Sequence, residues 1–173
     1  MTNNETIHVY ADGACSGNPG KGGWGAVLLY KNHRKDLSGA YRKTTNNRME
    51  LTAVIEALKS IKNKEIPVIV HSDSQYIVDS INKGYIHNWV NKNFNKVKNP
   101  DLWKELIQLI RQFKDIKFEW IKGHNNNPYN EACDKLAVGA MNTTPESKLK
   151  QDVYYEQTTS QSTNNTADVG LFE

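Results

Sequence analysis

The chain is poor in cysteine: Cys15 and Cys133 are its only two in 173 residues. Their number and spacing argue against a disulfide framework or a thiolate metal site and leave two free, half-buried thiols as the expectation. No apolar run approaches the roughly 18 residues a membrane-spanning helix needs. The opening Met1-Thr-Asn-Asn-Glu-Thr lacks the basic and apolar regions of a signal peptide. A cytoplasmic protein without a membrane partner is therefore expected. No internal repeat is visible. One absence is local: no acid occurs between Asp79 and Asp101.

What is present suffices for one domain and a tail. Hydrophobic residues make up 38% of the chain and mean hydropathy is −0.70, so part of it is expected not to pack. Residues 1–141 hold 20 Lys and Arg against 14 Asp and Glu, a net +6. Residues 142–173 hold 2 against 5, a net −3, and 15 of these 32 are Ser, Thr, Asn or Gln with no apolar period. The reading is a mildly basic globule over 1–141, suited to an anionic partner, and a disordered polar, acidic tail over 142–173.

Periodicity orders the elements. Residues 7–11, 24–30 and 33–42 read as strands joined by short connections, hence an antiparallel meander. Leu51, Val54, Ile55, Leu58 and Ile61 recur at helical spacing. Val68-Ile-Val70 is a short apolar run suited to a strand buried on both faces. A helix through Tyr76, Ile77 and Ile81 follows, and another presents Leu102, Leu106, Leu109, Ile110 and Phe113 after Asn99-Pro-Asp. Residues 116–120 alternate as a strand, and Asn127-Pro128 opens a last helix with Ala132, Cys133, Leu136, Ala137 and Ala140 inward. This order predicts an α/β domain in which parallel strands extend an antiparallel meander.

Four acids stand out. Asp12 ends the first strand and is followed by a turn with five glycines before Trp24-Gly-Ala-Val-Leu-Leu-Tyr30. Asp73 ends the Val68–Val70 strand, and ligand sites in open α/β sheets favour the carboxyl ends of strands. Glu50 lies in the first turn of the helix from Asn46, and Asp134 in the second turn of the last helix. Each also has a plain reading: Asp12-Gly as a turn, Asn47 with Glu50 as a capping box, Asp134 as a solvated helix face. If the four meet, protonation or cations must relieve their repulsion. An all-carboxylate set suits hard divalent ions, and paired ions serve in-line phosphoryl transfer.

Several stretches together resemble bacterial type 1 ribonuclease H. They are Asp12-Gly-Ala-Cys-Ser-Gly-Asn-Pro-Gly, Thr44-Thr-Asn-Asn-Arg-Met-Glu50-Leu, Ser72-Asp73-Ser-Gln-Tyr, Ile86-His-Asn-Trp89, Trp120-Ile-Lys-Gly-His124 and Asn130-Glu-Ala-Cys-Asp134-Lys-Leu-Ala. They occur in the family's order and cover nearly all of residues 5–141. The resemblance implies the ribonuclease H-like fold: a five-stranded mixed sheet, meander plus two parallel strands, with helices on both faces. It implies hydrolysis of the RNA strand of RNA–DNA hybrids by a monomer, leaving 5′-phosphate and 3′-hydroxyl ends. It also implies that Asp12, Glu50, Asp73 and Asp134 hold two Mg2+ ions, with Mn2+ as a substitute, and that His124 assists proton movement or product release.

By the same resemblance Gly13, Cys15, Asn18, Asn46, Asn47 and Gln75 face the minor groove of the hybrid, where the 2′-hydroxyl marks the RNA strand. Thr45 resembles the residue that grips a DNA-strand phosphate. The acid-free stretch supplies Trp89, Lys92, Lys96 and Lys98, a basic run interleaved with aromatics that suits phosphate tracking and equally suits a solvated helix and loop. It looks shorter and richer in asparagine than the basic protrusion of many relatives.

Two phosphate-binding patterns fail in context. Gly20-Lys-Gly-Gly-Trp-Gly25 fits a dinucleotide pattern but leads into a strand, and Lys21 is followed by Gly22 where a P-loop needs Ser or Thr. Three alternatives stay open: a junction resolvase, a domain of reverse-transcriptase origin, and a hybrid-binding module without chemistry. The end of the tail, Asp168-Val169-Gly170-Leu171-Phe172, looks like the peptides that bacterial replication proteins insert into the sliding clamp.

Overall fold

The computed structural model describes residues 5–123 and 126–160. Strands β1 (Ile7–Ser16), β2 (Gly20–Tyr30) and β3 (His33–Thr44) form the expected meander, followed by α1 (Asn46–Lys59). Then come β4 (Val68–Ser72), α2 (Gln75–Asn82), α3 (Tyr85–Asn91), α4 (Pro100–Gln112), β5 (Ile116–Trp120) and α5 (Pro128–Thr143). The sheet order is β3-β2-β1-β4-β5, with β1 parallel to β4 and β4 parallel to β5.

Alternation along β1 divides the two faces. Ile7, Val9 and Ala11 point into the core and meet α1, whose Leu51, Val54, Ile55 and Leu58 are buried as their spacing predicts. Trp103 of α4 is completely buried in the same core, and its Nε1–H donates to the Tyr76 hydroxyl at 2.8 Å. The opposite face of β1 and β2 is covered by α5.

Two local expectations change. Val68 and Val70 are buried but Ile69 is only half-buried, because α5 lies over β1 and β2 and leaves that side of β4 partly open. The cap of α1 is Thr45, whose hydroxyl accepts from the Arg48 N–H at 3.3 Å, so Asn47 with Glu50 is not its capping box.

The tail expected to be disordered from residue 142 has structure over its first half. Helix α5 runs on to Thr143, and a 3-10 turn spans Glu146–Lys148. Lys150 then pairs beside β3: its N–H donates to the Ala40 carbonyl at 3.1 Å, and its carbonyl accepts from Arg42 at 2.9 Å. Residues 153–160 form a further helix, α6. Composition misleads here because one buried acid anchors the segment. Asp152 accepts from Arg48 Nε at 2.7 Å, from Arg48 Nη2 at 2.9 Å and from the Thr44 hydroxyl at 2.7 Å. The Arg48 guanidinium also donates to both carboxylate oxygens of Asp101, at 2.9 and 2.6 Å. Residues 167–173, with the clamp-like peptide, lie outside the described residues.

Candidate active site

The site forms at the end of β4, where its pairing with β1 stops at Tyr10 and His71 and two helices come unusually close to the sheet. Strand β1 itself runs on to Ser16 because it stays paired with β2, so Asp12 lies within the strand and not, as expected, at its end. Asp12 sits in β1 opposite Gly25 of β2, and its Oδ1 accepts the Gly13 N–H at 2.9 Å. A Cβ on Gly13 would lie 2.5 Å from the Glu50 backbone nitrogen and 2.7 Å from the Met49 carbonyl carbon. Only a glycine lets β1 touch the first turns of α1, and that contact brings Glu50 to Asp12. Gly25 does the same on the other face: a Cβ there would stand 2.4 Å from the Cys133 carbonyl oxygen. Helix α5 thus lies directly on β2, with Asn130 and Asp134 in one cleft with Asp12 and Gly13 of β1. Asp73 follows β4, and its backbone carbonyl accepts from Trp120 Nε1 at 3.2 Å.

Three of the four predicted acids converge closely. Asp12, Glu50 and Asp73 each offer a carboxylate oxygen, all within 4.8 Å of one another. Asp12 and Glu50 are buried, Asp73 half-buried. Asp134 is exposed and lines the same cleft of about 290 Å3 with Asp12, Gly13, Asp73, Asn130, Glu131 and Lys135. Burial first, and the nearby Asp73 carboxylate second, push the Asp12 carboxyl up to about 7. Burial, then Asp12 and Asp73, hold Glu50 well above the ordinary carboxylate range. Glu50 Oε2 and Asn130 Oδ1 are buried with no hydrogen-bond partner among the described residues.

Orphaned buried acceptors are uncommon and point to an absent donor or cation. A buried all-oxygen set whose members repel one another fits a hard divalent ion such as Mg2+ or Mn2+, which would favour the ionised forms. The residues present fit such an ion. His124 lies outside the described residues.

Of the predicted substrate residues, Gly13 lines this cleft, and Asn18, Thr45, Asn47 and Lys98 line a second groove. The Cys15 thiol is half-buried and donates to the Gly20 and Thr44 carbonyls at 3.5 Å each, and burial raises its pKa. Asn18 Oδ1 accepts from the Asn46 N–H at 3.2 Å, tying the glycine-rich turn to α1. Asn46, Asn47 and Gln75 are exposed in the first turns of their helices. Lys92, Lys96 and Lys98 are exposed, whereas Trp89 packs edge-on against Trp103 at 5.1 Å between centroids and is half-buried. Cys133, expected to be half-buried, is fully buried, and burial pushes its thiol up to about 12.

Comparison with known proteins decides the family. A model of the RNase H family matches residues 4–142. The chain belongs to the RNase H family. It is 51% identical over 144 residues to Ribonuclease H of Desulforamulus reducens, covering 80% of this chain and 89% of that protein. It is 52% identical over 140 residues to Ribonuclease H of Syntrophomonas wolfei subsp. wolfei, covering 78% and 95%. Among solved structures it resembles LC9-RNase H1, a type 1 RNase H with the type 2 active-site motif. That likeness has TM-score 0.73 and 30% identity, over 91% of this chain and 82% of that one. LC11-RNase H1, solved in complex with an RNA/DNA hybrid, gives TM-score 0.59 and 27% identity, over 78% and 96%.

Within this RNase H framework, sequence reasoning missed Arg48, Asp101, Asp152, Trp120 and Asn130. Arg48 lies two residues from Glu50, yet its partner Asp152 is 104 positions away, and no local pattern announces such a pair. Asn130 carried one weak signal: four residues before Asp134, it shares that residue's helix face.

Proposed function

We propose that this RNase H hydrolyses the RNA strand of RNA–DNA hybrids, with Mg2+ held by Asp12, Glu50, Asp73 and Asp134. One observation carries the metal reading: three carboxylates within 4.8 Å of one another, one of them with a buried oxygen lacking a partner. Bound there as a pair, the ions supply an activated water and charge stabilisation on the leaving 3′-oxygen. The chain's part is to hold the geometry. Asp12 lies within 4.8 Å of both Glu50 and Asp73, and by resemblance it would be the ligand common to the ions. Glu50 and Asp73 complete the close cluster, and the exposed Asp134 lines the same cleft. His124 is assigned proton movement or product release by resemblance alone. The products carry 5′-phosphate and 3′-hydroxyl ends.

Recognition of the hybrid is assigned by resemblance to the glycine-rich turn and the first turns of α1 and α2, through Gly13, Cys15, Asn18, Thr45, Asn46, Asn47 and Gln75. Lys92, Lys96 and Lys98 add charge toward the phosphates, and Trp89 supports them from its packing on Trp103. The solved complex of LC11-RNase H1 with hybrid supports this partner. No helix of the described residues is long and apolar enough to cross a membrane. A cytoplasmic monomer is the working assignment, and the peptide 168–172 is offered as a sliding-clamp ligand. Loss of clamp binding on deleting residues 167–173 would support that last point, and unchanged binding would end it.

The deciding experiment is digestion of an end-labelled RNA–DNA hybrid beside RNA duplex, DNA duplex and branched DNA, with and without Mg2+. Cutting of the hybrid's RNA strand alone, abolished by chelator, is expected. Cutting of branched DNA would favour a resolvase, and activity surviving chelation would refute the metal assignment.

A further inference from the structure

The C-terminal helix α6 stands beside the substrate face. Between it and the first turn of α1 runs a groove of about 460 Å3. Asn18, Thr45 and Asn47 line one side, Lys98 lies at its end, and Tyr154 and Thr158 of α6 form the facing wall. Thr45 precedes Glu50 by five residues, about 7.5 Å along the helix axis at 1.5 Å per residue. The groove and the acids are therefore served by one rigid helix.

The wall is held in place from inside the protein. Asp152 is buried, clamped by Arg48 and Thr44, and its Oδ1 accepts from the Tyr155 N–H at 3.3 Å at the start of α6. The Arg48 guanidinium lies 5.3 Å from the Tyr154 ring centre. Arg42 holds Glu156 at 3.0 Å, and Arg48 holds both Asp101 and Asp152, so these acids near the groove are neutralised. Lys98 forms no ion pair among the described residues. The groove is lined by hydroxyls, amides, the apolar Val97 and Pro100, and one ammonium without an ion pair among the described residues, with no acid on its walls. The Thr158 hydroxyl donates to the Tyr154 carbonyl at 2.8 Å, which leaves the Tyr154 hydroxyl, Lys98 and the amides as the donors for a phosphodiester backbone beside a helix N-terminus.

We propose that α6 is part of the hybrid-binding surface, with Tyr154 and Thr158 forming the outer wall against a backbone phosphate of the hybrid. The proposal rests on the hybrid-cleaving reading above. It places grip at the C-terminal end of the chain, where composition alone indicated an unstructured tail.

The test compares the full chain with Tyr154→Ala/Thr158→Ala, Lys98→Ala and Gln157→Ala. Gln157 is exposed on α6 and does not line the groove, so its substitution controls for helix integrity. Steady-state cleavage of a hybrid in Mg2+ is read alongside hybrid binding in the presence of chelator and the salt dependence of that binding. The double variant is expected to raise KM and weaken binding about tenfold, as loss of a hydrogen bond to a charged group does, with kcat within twofold. Lys98→Ala is expected to lower the log–log salt slope by about one, and Gln157→Ala to match the full chain. A double variant with KM and binding within twofold of a full chain that cuts the hybrid overturns this proposal alone. Tighter binding by the double variant overturns it too, marking α6 as an obstruction. A full chain that neither cuts nor binds the hybrid overturns both readings.

Discussion

Gly13 and Glu50 are pressed together so closely that a single added Cβ on Gly13 would stand 2.5 Å from the Glu50 backbone nitrogen. Strand β1 and helix α1 meet there through bare backbone, and the Asp12–Glu50 pair exists because of it. Gly13→Ala must separate the two elements or distort one of them, since neither neighbouring atom is the end of a flexible side chain. Mg2+ binding followed by calorimetry should weaken more than tenfold, and hybrid cleavage should fall at least a hundredfold. An alanine variant with native Mg2+ affinity would show that the contact does not set the metal site.

The carboxyl cluster makes the metal-free protein sensitive to alkali. Asp12 moves from an ordinary 3.8 to about 7 in the folded state, so folding favours its protonated form. Its contribution to stability is fully present below about 4 and is lost as pH rises through about 7. Thermal unfolding in chelator should therefore show a midpoint that falls across that window. Mg2+ should remove much of the fall, and Asp12→Asn should flatten it while abolishing cleavage. A midpoint that rises over the same window without metal would contradict this account.

Residues 144–160 are expected to contribute to global stability through Asp152. That carboxylate is 7% exposed and faces a guanidinium whose own pKa is raised by its two acidic partners despite burial. Removing one member of such a buried set costs about 3–5 kcal/mol, because the other is left underpaired. Asp152→Ala, and truncation after Gln151, should each lower the urea unfolding free energy by about 3 kcal/mol or more. Losses below about 0.5 kcal/mol would mean that the segment is merely laid on the surface.

Trp120 is 47% exposed, yet its indole N–H holds the backbone carbonyl of Asp73 at 3.2 Å. Trp120→Phe keeps a ring and removes that one bond, worth about 1 kcal/mol. The expected result is Mg2+ affinity weakened about fivefold with a thermal midpoint within about 3 °C of the unsubstituted protein. A midpoint lowered by 10 °C with unchanged Mg2+ affinity would make the tryptophan a packing residue only.

Much of the fold was legible in the sequence, because alternation and helical spacing are local. The buried face of α1 appeared in the recurrence of Leu51, Val54, Ile55 and Leu58, and β1 and β4 in apolar runs ending at acids. The acids themselves could be listed from sequence, and family-wide motifs placed them in one site. Their meeting could not be read from spacing, since it depends on how near α1 and α5 come to the sheet. The tail shows the opposite failure: composition described residues 142–173 as a disordered tail, while one buried carboxylate, Asp152, ties the segment before residue 160 to Arg48.

By itself, then, the sequence determined the elements, their order, the glycine-rich stretch after Asp12 and the list of candidate acids. Only the tertiary structure decided that Asp12, Glu50 and Asp73 lie within 4.8 Å of one another and that Asp134 stays at the rim. It alone placed α6 across a groove from Thr45. The physical reason is range. Propensity and periodicity act over a few residues, whereas backbone contact at Gly13 and Gly25 and the Arg48–Asp152 pair join positions far apart, and only the packed chain reveals which of them touch.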